Sequence, residues 1–210
     1  MAYKIRRALA LILVTVVLLG AGAPQASACG DLLQRIFNCE VGPQPEVTAL
    51  STPLLGQNRD QWCWAAASLM AARTYVTNSI TQTDIVRHVK GAVINEGGTV
   101  DERLAAVKYA TGGTVQFKQV QPLTEAEMVA SIDAGNPVML CRGWYPDGYP
   151  GVRYGGHSTV LYGYQELDGE YLFLVRDPWP VNQGTNDILS YSQIKRGDDT
   201  GILEMCEIKK

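Results

Sequence analysis

Between Trp62 and Ala72 the chain reads Trp-Cys-Trp-Ala-Ala-Ala-Ser-Leu-Met-Ala-Ala, with no charged residue on any side. Alanine, leucine and methionine favour the helix and no breaker interrupts them, so a helix is predicted from Gln61 to about Val76. A helix that is apolar almost all round has no face to offer water and must be enclosed by the rest of the fold. The chain has the material for this: 46% of its 210 residues are hydrophobic and 19% are charged. That balance excludes a disordered chain, and a net charge of −3 excludes a polyanion-binding one. The rare residues constrain chemistry further, with 5 Cys and only 2 His.

The first 28 residues read as an address. Lys4, Arg6 and Arg7 are followed by an uncharged apolar run from Ala8 to Leu19, then Ala26-Ser27-Ala28. This is the pattern of a secretory signal peptide with cleavage after Ala28. The apolar run falls short of the roughly 20 residues a spanning helix needs. Cleavage leaves 182 residues and, with three cations gone, a net charge of −6. A secreted chain is expected, with a periplasmic location or a lipid anchor on Cys29 as the alternatives. No stable membrane association is expected after cleavage, and disulfides persist outside the cytoplasm.

Residues 29–56 read as an irregular N-terminal segment carrying Pro43, Pro45 and Pro53, and residues 57–210 as one domain. Short helices are expected at Gln82–Lys90, from the Thr99/Glu102 capping box to Gly112, and from Thr124/Glu127 to about Ala134. Strands are expected at 114–120, 137–142, 157–164, 171–176 and 202–208, with a hairpin turn at Asp168-Gly169. Helices gather first and strands second, so the class is α+β.

Cys63 opens the enclosed helix. A thiolate there meets unsatisfied backbone N–H groups and the positive end of the helix dipole, both of which favour the charged form. Three residues give that placement a use. His157 opens a strand and is suited to take the thiol proton and later protonate a leaving amine. Asp177 ends the next strand, where a hairpin about Asp168-Gly169 brings it beside His157 to hold one tautomer. Gln57, six residues before the cysteine, has an amide that could join the Cys63 backbone N–H in an oxyanion hole. Each also has a plainer role, as buried thiol, strand histidine, turn-former or surface amide. His88 has no third partner at useful spacing and reads as a bystander.

With these residues in hand, the sequence resembles the papain-like cysteine peptidases. Gln57, Cys63 and Trp64 match the family's Gln-x5-Cys-Trp segment, His157 its catalytic histidine, and Asp177-Pro178-Trp179 its third catalytic residue with a shielding tryptophan. Cys-Trp-Ala-Ala and Asp-Pro look like the compact bacterial branch, which includes secreted effector proteases and, more distantly, double-glycine leader peptidases. The spacing from Cys63 to His157 is shorter than the roughly 130–150 residues of papain and the cathepsins. The resemblance implies a two-lobed papain-like fold, with a helical first lobe carrying the nucleophile and an antiparallel β second lobe. It implies an endopeptidase working through a thioacyl-enzyme on a protein or peptide substrate. Trp64, Trp144, Tyr154, Gly156 and Trp179 are candidate cleft residues.

Setting Cys63 aside leaves four cysteines with three possible pairings; Cys29–Cys39 and Cys141–Cys206 are the expected ones. No Cys-x-x-Cys pair, His-Glu-x-x-His motif or P-loop is present, so no metal, cofactor or nucleic-acid partner is expected. Two other functions fit the same residues: a papain-fold amidase, transglutaminase or deamidase, and a non-enzymatic disulfide-stapled binding protein.

Overall fold

A computed structural model of the chain describes residues 46–120, 122–144, 155–196 and 203–209. Residues 1–28, the expected signal peptide, lie outside the described residues, as do Cys29, Cys39 and Tyr154. The enclosed helix is α1 (Cys63–Arg73), and every residue from Cys63 to Ala72 is buried. It is surrounded by α2 (Gln82–Lys90) and α3 (Val100–Ala110), which with Trp62, Trp64, Met139 and Val160 form the first core. Each of these two flanking helices is fixed at its start by a reciprocal capping box, Thr81 with Asp84 and Thr99 with Glu102. α2 stops at Gly91, whose φ of 75° lies in the left-handed region that glycine enters without penalty.

The second lobe is an antiparallel sheet in the order β2 (Gln116–Val120), β7 (Leu203–Lys209), β3 (Val138–Trp144), β4 (Gly155–Leu167), β5 (Glu170–Asp177), β6 (Thr185–Ser190). A short strand β1 (Glu46–Ala49) pairs with the far end of β4. α4 (Glu125–Asp133), begun by the Thr124/Glu127 capping box, and the short α5 (Tyr191–Arg196) complete the described elements. A second core of Met128, Ile132, Val138, Leu140, Leu161, Phe173, Val175 and Ile194 lies between sheet and helices. Full burial of one such side chain is worth about 1.5–3 kcal/mol. β4 therefore feeds both cores, through Val160 on one side and Leu161 on the other. The architecture is α+β and papain-like, with a helical lobe and a sheet lobe.

Three details differ from the sequence expectations. The irregular leader does not run to residue 56, because Glu46–Ala49 joins the sheet; Gly163 permits this, since a Cβ there would stand 2.6 Å from Thr48 O. β6 and α5 are additional elements, polar and half exposed, which is why no periodicity marks them. The Cys141–Cys206 pairing is not seated by the sheet: Cys141 stands opposite Glu204, and Cys206 opposite Met139. Such a diagonal spans roughly 7–8 Å, beyond the usual Cα separation of a disulfide. Cys141 is buried, and its sulfur accepts a hydrogen bond from Ser158 at 3.8 Å. Among the described residues, no helix is long and apolar enough to cross a membrane.

Candidate active site

The helical lobe supplies the thiol. Trp62 stands at the N-cap of α1 and no side chain caps the helix there, so the first-turn N–H groups have no side-chain acceptor. Cys63 is 9% exposed at that turn. The segment before it folds onto Gln57, whose Nε2 donates to the carbonyls of Arg59 (2.9 Å) and Asp60 (2.8 Å). Both amide hydrogens are thereby committed, and Oε1 is buried without a donor. The expected oxyanion donor thus holds the turn that delivers Cys63. To contact a substrate oxygen it must exchange one of these two bonds.

The sheet lobe supplies the imidazole. β4 and β5 are joined at Asp168-Gly169, both with positive φ (53° and 81°), as a two-residue hairpin turn of this kind requires. Their register shifts between Leu161 and Gly163, leaving Tyr162 as an extra residue whose carbonyl accepts from Leu50 N at 2.8 Å. Beyond this bulge Val160 faces Arg176, so Asp177 falls next to Thr159, diagonal to His157 and on its face of the sheet. The result is a 2.7 Å contact between His157 Nε2 and Asp177 Oδ1. The same carboxylate oxygen accepts from Trp179 N at 2.7 Å.

With Nε2 on Asp177, the hydrogen bond between His157 and Cys63 runs through the remaining ring nitrogen. Burial disfavours the imidazolium, but the bonds and charges of Asp177 and Cys63 outweigh it and raise the His157 pKa to about 9. A ring so poised can hold a proton beside the sulfur at neutral pH.

The two lobes are tied behind these groups. Gln57 N donates to Pro178 O (2.8 Å) and Asn182 N donates to Gln57 O (2.8 Å). Gly56 has no room for a Cβ, which would stand 2.3 Å from Gln183 N. In front, a cleft of about 1000 Å³ opens over Cys63, His157 and Asp177. Its helical wall is the stretch from Gly97 to Asp101, hung on the start of α1: Trp62 Nε1 donates to Ile94 O (2.7 Å), Trp64 Nε1 to Glu96 O (2.9 Å). Gly98 lies flat on the Trp64 ring, where a Cβ would be 2.4 Å away.

Of the residues expected from sequence, Gln57, Cys63, Trp64, Gly156, His157, Asp177 and Trp179 line this one cleft. Trp64 is its floor, 1% exposed, whereas Trp179 is 51% exposed on its rim. Trp144 ends β3, paired with Gly155. Sequence reasoning missed Gly97, Gly98, Asp101 and Arg103. The available signal was the Gly97-Gly98 pair directly before the Thr99 capping box, a flexible approach to a fixed helix start. His88 is stacked on Tyr109 at 4.0 Å, on α2, and is no part of the cleft lining.

Comparison with known proteins agrees with this geometry. No curated protein matches the chain. Among solved structures, a protein described as a C39-like peptidase from Bacillus anthracis has a similar fold (TM-score 0.52, 15% identity, 79% of this chain and 98% of that one). So do xylellain, a cysteine protease from Xylella fastidiosa (0.54, 14%, 80% and 90%), and a digestive procathepsin L2 proteinase from Tenebrio molitor larval midgut (0.51, 10%, 82% and 71%). Residues 49–197 match the Peptidase_C39 like family, a span holding the thiol, the imidazole, the helical lobe and strands β2 to β6, so the chain belongs to that family and is a papain-like cysteine peptidase.

Proposed function

We propose that the chain is an exported endopeptidase acting through a Cys63–His157–Asp177 triad. The Cys63 thiolate attacks the peptide carbonyl carbon, forming a C–S bond while the carbonyl electron pair moves to oxygen. The Cys63 backbone N–H at the uncapped helix start donates to that oxyanion, and Gln57 joins by exchanging one of its carbonyl bonds. Collapse of the intermediate expels the amine, which takes its proton from His157. His157 then deprotonates water, which attacks the thioacyl carbon and releases Cys63. Asp177 keeps Nε2 occupied, so the other ring nitrogen serves the sulfur throughout.

The observation that carries the reading is the 2.7 Å contact between His157 Nε2 and Asp177 Oδ1 in a cleft that Cys63 also lines. Export is supported by the first 28 residues, with their basic start, apolar run and Ala26-Ser27-Ala28 end. The test is to incubate the mature chain with casein and with an epoxide thiol inhibitor, mapping the adduct. New N-termini in casein, an adduct on Cys63, and neither with Cys63→Ala are expected. Absence of a Cys63 adduct with activity retained in Cys63→Ala overturns the reading. Ammonia release without new N-termini assigns the acyl-enzyme to a deamidase or transglutaminase reaction instead.

A further inference from the structure

We infer that the cleft selects polypeptide segments carrying lysine or arginine beside the scissile bond, a reading that rests on the peptidase assignment and adds a substrate class to it. The argument is one of charge inside a defined lining. Among the described residues, the ionisable side chains that line the cleft are Asp60, Asp101, Asp177, Arg103, Cys63 and His157. Cys63 and His157 together contribute no net charge, whether as thiol and imidazole or as thiolate and imidazolium. Three carboxylates then face one guanidinium, an excess of two negative charges in either state.

The positions of these groups sharpen the point. Arg103 is 2% exposed, and its Nη1 donates to Gly98 O (3.3 Å) and Ser158 Oγ (3.5 Å), so its charge is spent within the wall. Asp60 and Asp101 are both exposed, and among the described residues neither carboxylate has an ion-pair partner. Two other cations of the helical lobe are otherwise engaged: Lys90 with Glu102 at 2.8 Å, and the Arg59 guanidinium over the Trp62 ring at 4.8 Å. A second, independent observation points the same way. Gln57, fully buried and part of the same lining, has an acceptor oxygen with no donor. The two exposed carboxylates are complementary to an N–H-rich cation and repel an anion, and the buried orphan acceptor adds no positive charge to the lining.

One exposed carboxylate–cation pair is worth about 1.5- to 5-fold, so two give about 2- to 25-fold discrimination. Two measurements read it. Cys63 is modified with cationic trimethylammonioethyl and anionic sulfonatoethyl methanethiosulfonate, the adduct is mapped, and each rate is normalised to that with free cysteine. Peptide pairs differing only in Lys against Glu next to the scissile bond are then compared by kcat/KM. At low salt the cationic member of each pair should win by about 2- to 25-fold. Both ratios should fall to within twofold in Asp60→Asn/Asp101→Asn and in the wild type at 0.5 M salt, about 4 Å Debye length. Cleavage with no charge preference, or a preference untouched by the double substitution, overturns the inference and leaves the peptidase assignment standing. Failure to cleave any peptide overturns both.

Discussion

Cys63 and His157 meet in one cleft but arrive there by different routes. The thiol is set by local means: a short apolar helix, a turn held by one glutamine amide, and two tryptophan N–H groups gripping the chain some thirty residues on. The imidazole depends on pairings across the sheet, and its partner Asp177 shares its face only because β4 carries an extra residue at Tyr162. Local construction tolerates change elsewhere. Construction by register does not, because shifting a strand by one residue moves every side chain to the opposite face.

The sharpest way to separate the halves is to remove each in turn. Cys63→Ala should reduce peptide hydrolysis on the order of 10⁴-fold or more, measured as kcat/KM against an unchanged far-ultraviolet spectrum. Inserting one residue between Val175 and Arg176 should come next. With Leu161 still paired to Val175, Asp177 would then stand opposite Ser158, on the other face from His157. Hydrolysis should fall about 10²- to 10⁴-fold, the usual worth of a general acid–base pair. Cys63 should still react with a small neutral alkylating agent in the insertion variant. Loss of alkylation would show instead that the helical half depends on the sheet.

Asp177→Asn probes the charge alone. The imidazolium persists to about pH 9 because Asp177 and Cys63 outweigh its burial, so the alkaline limb of the activity profile should lie near that pH and move to lower pH in the variant. Stability should follow the same proton. The folded-state pKa is raised above its ordinary 6.5, so this contribution is complete below about pH 6.5 and lost as the pH rises through about 9. An unmoved limb would mean that another group titrates there. The smallest effect expected is at a helix start: Thr99→Ala removes the cap of α3 and should cost about 0.5–2 kcal/mol, readable as a lowered Tm with kcat/KM for a minimal substrate little altered.

What the sequence made legible follows the same division. α1, the capping boxes of α3 and α4, the Asp168-Gly169 turn and the residues Cys63, His157 and Asp177 all carry local signals, and all stand where those signals put them. The Tyr162 bulge, the edge strands β1 and β6, and the Gly97–Asp101 wall carry none, because each is defined by a partner distant in sequence. Gln57 was legible as a residue of the site; that its amide is already occupied by two carbonyls is a matter of backbone direction, which residue type does not encode. Cys141 and Cys206 were placed on neighbouring strands, but their relative position depends on a register no turn between them specifies.

The reciprocal bonds between Gln57 and the 178–182 loop have a mechanical consequence. They join the segment leading to Cys63 with the loop that follows Asp177. Gly56 brings the two backbones into direct contact at the same place. The two segments are therefore coupled: a displacement of the loop after Asp177 is carried directly into the turn whose carbonyls Gln57 holds, and so into the approach to Cys63.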